Sequence, residues 1–182
     1  MKKIGLLLFV ALTGCSPMYG DSYNVMVNEQ FTAEQRSDIV TALSRWQVAA
    51  QQYNLRFTVS WGSEPDYFAD HTFSIYPSTL LQLHNRWGGD IVGYTLRDDS
   101  CDCGQMYYAT DIGNVTEWQV MIAHETGHSL GLVHTGPGTL MYPGFGPNNP
   151  NAITYKDLQQ FAHLRGERIV LDDTPVSVTH DE

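Results

Sequence analysis

The stretch of sequence that decides the fold is residues 124–134, His-Glu-Thr-Gly-His-Ser-Leu-Gly-Leu-Val-His. Two of its histidines, His124 and His128, are four residues apart, so on a helix they lie on one face, one turn apart. Their imidazoles can then reach one ion at the roughly 2 Å that zinc requires. Gly131 allows the helix to end in a sharp turn, after which His134 can fold back as a third ligand. Three neutral imidazoles leave one position for water, which is the pattern of a catalytic zinc site.

Glu125 stands next to the first of these histidines and is the candidate general base. Zinc lowers the pKa of a bound water to about 7, so a nearby carboxylate can take its proton as the water attacks a carbonyl. The same carboxyl group can then deliver the proton to the leaving amine, while the metal stabilises the developing negative charge on oxygen. The residues at this spacing therefore predict hydrolysis of a peptide bond.

The full motif, His-Glu-x-x-His-x-x-Gly-x-x-His, resembles that of the metzincin zinc peptidases. Residues 139–143, Thr-Leu-Met-Tyr-Pro, are similar to the metzincin Met-turn, whose methionine lies beneath the metal histidines; here it would be Met141. The Met-Tyr-Pro sequence and Thr135 after the third histidine lean towards the matrixins. The resemblance implies a zinc endopeptidase with one catalytic Zn²⁺, supported by Gly131 and Met141, and a substrate pocket near Pro143, Phe145 and Tyr155.

The remaining pattern predicts one α/β (α+β) domain over residues 22–166. Strands are predicted at 23–27, 55–61, 71–76, 90–96 and 105–110, the third ending at Pro77, and helices at about 32–52, 116–130 and 155–164. In the first helix, Thr32 and Gln35 form a capping box, and Ile39, Leu43, Trp46 and Ala50 recur at helical spacing. The first two strands flank this helix, which favours parallel pairing.

The resemblance adds detail to this fold. It implies a five-stranded, twisted, mostly parallel sheet with an active-site helix beneath it and a closing helix near the C-terminus. Residues 104–111 are similar to the edge strand that pairs with substrate.

Composition and charge narrow the functional classes. The 182 residues carry 20 acidic and 10 basic side chains, for a net charge of −10, which argues against a nucleic-acid binder and against docking on anionic lipid by charge alone. The resemblance implies a peptide or protein substrate, and we expect a monomer.

The first residues predict export. Lys2 and Lys3 precede a short apolar run that ends in Leu-Thr-Gly-Cys at residues 12–15, which resembles the bacterial lipobox. We expect a lipoprotein signal peptide at 1–14, a tether at 15–21 acylated on Cys15 and so anchored in the cell envelope, and a flexible acidic tail at 167–182. Ser16 favours the outer membrane if the source is Gram-negative.

Several features allow more than one interpretation. Cys101 and Cys103 favour a disulfide over free thiols or half of a metal site. Four aspartates could bind Ca²⁺, although a solvated acidic loop is the simpler interpretation; they are Asp98, Asp99, Asp102 and Asp111. The structural-zinc pattern of matrixins is not recognisable, so His71 and His84 are interpreted as surface or core residues.

Two other functions compete with the endopeptidase. One is a non-catalytic surface lipoprotein that uses zinc for stability and its cleft for a partner, although the intact Glu125 argues against it. The other is an amidase that acts on cell-wall peptides.

Overall fold

The structure is a computed structural model that describes residues 21–63, 69–113, 115–144 and 150–166. The predicted signal peptide, Cys15 with nearly all of the tether, Phe145 and the tail at 167–182 lie outside the described residues. None of the described helices is long and apolar enough to cross a bilayer.

A five-stranded sheet forms the centre of the fold, in the order β2-β1-β3-β5-β4. Its strands are β1 (Ser22–Asn28), β2 (Arg56–Gly62), β3 (Thr72–Ser78), β4 (Gly93–Asp98) and β5 (Cys103–Ala109). The strands β2, β1, β3 and β5 are parallel, and β4 pairs with β5 in the antiparallel direction. The prediction of a mixed fold with five mostly parallel strands is therefore confirmed.

Four α-helices accompany the sheet within the described chain: α1 (Ala33–Ala49), α2 (Leu80–Trp87), α3 (Val115–Ser129) and α4 (Tyr155–Leu164). The predicted capping box of α1 is present between Thr32 and Gln35. The apolar positions expected on one face of this helical segment are all buried, and they are Ile39, Leu43, Trp46 and Ala50. Since Trp46 Nε1 donates a 2.9 Å hydrogen bond to Ala123 O, the core of the protein joins α1 directly to α3.

The strand that forms the edge of the sheet is not the one that the sequence predicts. Residues 104–111 were expected to form the edge strand, but β5 lies between β3 and β4, and β4 is the edge. The sequence of a strand shows its own pattern of apolar residues but not which strands lie beside it. The order of the strands depends on how the chain turns back through the hairpin at 99–102. The strand that leaves one side unpaired at this end of the sheet is therefore β4.

Two further elements were not predicted correctly. The strand β3 continues through Pro77 to Ser78, because β1 accompanies it only as far as Ile75 and the proline has a strand neighbour on one side only. The helix α2 was missed, although Thr79 and Gln82 form a capping box at its start.

The helix α2 supports the edge of the sheet through aromatic contacts. The Trp87 ring stacks on Tyr94 of β4 with a 4.2 Å distance between ring centroids, and lies 5.2 Å from Tyr107 of β5. The Arg86 guanidinium lies over the same Trp87 ring. These contacts place β4 against a rigid partner on the face opposite the Thr95 side chain, since successive strand residues alternate between faces.

A short hairpin connects β4 to β5. The strands predicted at 90–96 and 105–110 are separated by eight residues, whereas the observed connection is four residues long, because the register pairs Asp98 with Cys103. Cys101 and Cys103 form the predicted disulfide. Within this hairpin, Asp102 adopts a left-handed backbone conformation with a φ of 49°.

Candidate metal centre

The helix α3 carries the first two histidines and ends as the sequence predicts. Gly131 adopts a φ of 91°, which an L side chain would disfavour. The N–H groups of Gly131 and Leu132 donate to His128 O and Gly127 O, the double hydrogen-bond pattern of a Schellman motif. The chain leaves the helix in this turn and returns to the same face with His134.

The three imidazoles converge on one point. The distance from His134 Nε2 is 3.2 Å to His124 Nε2 and 3.1 Å to His128 Nε2. Nitrogens bound tetrahedrally at about 2.0–2.1 Å from zinc are separated by roughly 3.3 Å, so this spacing suits the metal. Within the described ranges, these three residues are the group of histidine, cysteine and acidic side chains that could hold an ion.

Backbone carbonyls fix the orientation of two of these rings. His124 Nδ1 lies 2.8 Å from Leu140 O, and His128 Nδ1 lies 2.8 Å from Leu132 O. Each Nδ1 must carry the proton to donate to a carbonyl, so each Nε2 presents a lone pair to the centre. The donor set therefore fits a zinc ion, and the Nε2 atoms of His124, His128 and His134 would hold it.

Burial keeps the imidazoles in the neutral form that binds metal. Burial, with repulsion from the other two rings, lowers the pKa of His124 to about 4. Burial also lowers the pKa of His128 and of His134. A neutral imidazole retains the lone pair that a metal ion needs.

Glu125 lies beside the histidines in a buried slot between α3 and β4. Its side chain is 5% exposed, and Thr95 Oγ1 donates a 2.6 Å hydrogen bond to Glu125 Oε2. Burial raises the pKa of Glu125 to about 7, although the bond from Thr95 acts in the opposite direction. A carboxyl group with a pKa near neutrality can both accept and return a proton.

A cleft of about 470 Å³ opens beside this group. It is lined on one side by β4 and on the other by the segment that follows α3, with Glu125, His128 and His134 in its wall. Among the described residues, Pro143 and Tyr155 are not part of this lining. Both are exposed, and they flank residues 145–149, so the predicted pocket around Pro143, Phe145 and Tyr155 stays a prediction.

Met141 lies in a tight turn beneath the histidines. It is fully buried, and its sulfur would lie 2.4 Å from a Cβ placed on Gly127, which sits between the two helical histidines. Its backbone oxygen accepts a 2.8 Å hydrogen bond from Thr135 N. The turn thus packs against the helix and fixes the segment that follows His134.

The other polar residues considered from the sequence do not join the centre. His71 lies 3.3 Å from Asp102, and His84 contacts Gly89 O. The four aspartates have protein partners: Asp98 accepts from Ser100, Asp99 and Asp102 both pair with Arg97, and Asp111 accepts from Leu80 N. The calcium site stays a prediction.

Three residues near the centre were missed by sequence reasoning. Thr95 and Gly93 contact Glu125 from β4, some 30 residues away in the chain, and no local pattern points to them. Asp157 of α4 accepts hydrogen bonds from the N–H groups of Leu140 and Met141. Its capping box with Thr154 was a usable signal, because a buried capping carboxylate often has further partners.

Comparison with known families agrees with this geometry. The family model of the matrixins matches residues 46–166. The chain belongs to the matrixin family. Within it, human matrix metalloproteinase-26 is 31% identical over 94 residues, which cover 46% of this chain and 35% of that protein. This matrixin thus spans about a third of the length of that relative.

A solved structure supports the matrixin fold. The crystal structure of metalloproteinase-II from Bacteroides fragilis matches with a TM-score of 0.50 and 14% sequence identity. The match covers 79% of this matrixin and 53% of the bacterial chain. At this level of identity the likeness concerns the fold alone.

Proposed function

We propose that this matrixin is a zinc-dependent endopeptidase in which Glu125 acts as general base and then as general acid. The observation that carries the proposal is the convergence of three imidazoles beside a cleft whose wall includes the buried carboxylate of Glu125. The Nε2 atom of His134 lies 3.2 Å from that of His124 and 3.1 Å from that of His128. A zinc ion held there would supply the Lewis acidity that acidifies a water molecule and polarises the scissile carbonyl.

Glu125 performs the proton transfers of this reaction. Its carboxylate takes a proton from the attacking water and then passes a proton to the nitrogen of the departing amine. Its slot beside Gly93 excludes bulk water, because the backbone of β4 approaches so closely that a Cβ on Gly93 would lie 2.8 Å from Glu125 Cγ. Burial of this kind increases the affinity of the carboxylate for a proton and so assists the first transfer.

The edge strand β4 provides the surface that binds substrate. Among the described strands, β4 has β5 as its neighbour and ends the sheet, so its other side can pair with an extended peptide through main-chain hydrogen bonds. The peptide would lie in the cleft between β4 and the Leu132–Val133 segment. We propose that Pro143, Phe145 and Tyr155 bound its side-chain pocket.

The decisive experiment compares native protein with Glu125→Gln. The variant keeps the size of the side chain but cannot accept a proton, so we expect at least a 100-fold loss of kcat/KM on a peptide library, with zinc retained at one ion per chain. Glu34→Gln, an exposed acid in the first turn of α1, is the matched control and should retain full activity.

The outcomes separate the competing functions. Zinc-loaded native protein that cleaves no peptide would leave the non-catalytic surface lipoprotein as the better interpretation. Chelator-sensitive release of peptides from peptidoglycan fragments, without turnover of casein, would favour the cell-wall amidase.

We also propose that the protein acts as a monomer on the cell envelope. A single chain provides all three histidines, Glu125 and the cleft lining, which supports a monomer. The lipobox-like sequence at 12–15 supports acylation of Cys15. Metabolic labelling with a fatty acid should mark the native protein in the membrane fraction. Cys15→Ser should be unlabelled, and label on that variant would contradict the proposal.

A further inference from the structure

The edge strand β4 contacts Glu125 with one specific side chain. Thr95 stands in the middle of β4, paired in register with the fully buried Met106 of β5. Its hydroxyl lies 2.6 Å from Glu125 Oε2 and 3.2 Å from the Glu125 backbone oxygen. A hydroxyl has one proton to donate, and the shorter distance and the charge of a carboxylate both favour Oε2 as the acceptor.

The opposite oxygen of the carboxylate occupies space that the lack of a side chain on Gly93 leaves open. Gly93, two residues earlier on the same face of β4, leaves space that a side chain would fill, since a Cβ there would lie 2.9 Å from Glu125 Oε1 and 2.9 Å from Met121 Cγ. The Glu125 side chain is therefore confined between the hydroxyl of Thr95 and the bare backbone of Gly93. A carboxylate confined in this way loses little rotational freedom when the reaction needs it in one orientation.

We propose that Thr95 is the positioning residue of Glu125. Its hydrogen bond occupies Oε2 and leaves Oε1 to exchange the proton, and it ties the base to the strand whose open edge would bind the substrate backbone. This inference rests on the proposed function, because a base needs to be positioned only if there is a proton to transfer. Substrate and base are then aligned by one element, and their relative placement does not depend on a loop.

A hydroxyl that merely satisfies a buried carboxylate would stabilise the fold without affecting the chemical step. Two variants distinguish these roles. Thr95→Val keeps the shape of the side chain and removes the hydroxyl, whereas Thr95→Ser keeps the hydroxyl and removes the methyl group. Thr41→Val is the matched control, because the Thr41 hydroxyl also donates to a protein oxygen, Ser37 O, but on the exposed face of α1.

The kinetic test uses zinc-loaded protein and a fluorogenic peptide. We expect Thr95→Val to lower kcat about 10- to 100-fold, because Glu125 loses its fixed orientation. KM should stay within twofold of native, and the zinc content should be unchanged. Thr95→Ser should stay within about threefold of native kcat, and Thr41→Val should not differ from native. In a Glu125→Gln background, Thr95→Val should cause no further loss. A Thr95→Val kcat within twofold of native, or an equal loss for Thr95→Ser, would overturn the proposal.

A measurement without turnover separates this proposal from the proposed function. Urea unfolding of the native protein, Thr95→Val, Glu125→Ala and the double variant forms a double-mutant cycle, in which each single change removes the hydrogen bond. Shifts in the urea midpoint that are not additive indicate the Thr95–Glu125 bond, and additive shifts would remove it and the proposal with it. Native protein that hydrolyses no peptide would overturn the proposed function and the catalytic role of Thr95 together, whereas a failed cycle with active native protein overturns the role of Thr95 alone.

Discussion

Gly127 is the residue at which the active-site helix and the Met-turn come closest. It lies between His124 and His128 on α3, and a Cβ at this position would be 2.4 Å from Met141 Sδ and 3.2 Å from Trp46 Cζ2. Both neighbours are fully buried, so neither has open space into which it can move. The absence of a side chain here sets how deeply the Met-turn sits beneath the histidines.

Gly127→Ala should therefore destabilise the protein. Overpacking of a close-packed core typically costs about 1–3 kcal/mol, and we expect a decrease of that size in the free energy of unfolding, measured in urea. Zinc affinity should fall as well, because relief of the contact displaces the helix that carries two ligands. Gly113→Ala, where an added Cβ meets nothing within 4 Å, is the control. Equal stability of both variants would mean that the Met-turn adapts without cost.

At the scale of residues, the sequence predicted which imidazoles converge, but not the residues of β4 that contact Glu125. His124, Glu125, His128, Gly131 and His134 follow from helix periodicity and one glycine turn, which are local geometry. Thr95 and Gly93 reach Glu125 only because β4 is the strand next to α3, and that is a property of the whole sheet. Contacts of this kind have no signature in a short window of sequence.

The helix α4 holds the Met-turn through one buried carboxylate. Asp157 is fully buried, and it accepts hydrogen bonds from Leu140 N at 3.1 Å, Met141 N at 3.2 Å and Thr154 N at 2.8 Å. Leu140 O in turn lies 2.8 Å from His124 Nδ1. The cap of one helix thus orients a ligand on another through a single peptide unit.

Asp157→Ala should loosen this connection. Hydrogen bonds to a charged group contribute about 1.5–3 kcal/mol each, so we expect the free energy of unfolding to fall by about 3 kcal/mol or more, measured by chemical denaturation. Zinc should also dissociate faster, because the partner of His124 becomes mobile. Glu34→Ala removes an exposed acid from the first turn of α1 and should change little. If zinc dissociates from Asp157→Ala at the same rate as from the native protein, the turn itself holds Leu140 in place.

Most helices and strands carry a local signal in the sequence, whereas the order of the strands does not. The capping box at Thr32 marked the start of α1 correctly, and the alternation of apolar and polar residues marked β1 and β2. The start of α2 carried the same signal at Thr79 but followed directly on a strand and was overlooked. The edge strand was assigned to 104–111, not to β4, because pairing order arises from the path of the chain and not from the composition of a strand.

A network of polar side chains joins distant parts of the molecule around Arg97. The Arg97 guanidinium contacts Asp99 and Asp102 in the disulfide hairpin and donates to Ser129 O at the end of α3. Asp102 accepts a 2.7 Å hydrogen bond from the Tyr23 hydroxyl of β1, and burial, followed by the contact with Asp102, raises the pKa of Tyr23. Edge strand, first strand and active-site helix therefore share one partly buried cluster.

Arg97→Gln should weaken the molecule as a whole. The loss of the guanidinium leaves Asp102 and the carbonyl at the end of α3 without a charged partner, and we expect a decrease of about 1–2 kcal/mol in the free energy of unfolding. Arg56→Gln, at an exposed position on β2, is the control and should stay within about 0.5 kcal/mol of native. Thermal unfolding of the two variants provides the measurement. Equal melting temperatures would show that water replaces Arg97 without loss.

The open side of β4 has a consequence for the handling of the protein in solution. The unpaired amide and carbonyl groups that could form hydrogen bonds with a peptide can equally pair with the same strand of a second copy. Edges of this kind promote aggregation unless they are guarded. Here the guard is negative charge: Asp98 and Asp99 lie where the strand meets its hairpin, and the whole chain has a net charge of −10, so two copies repel each other. High ionic strength, which weakens such repulsion, should make concentrated samples more prone to self-association than dilute salt does.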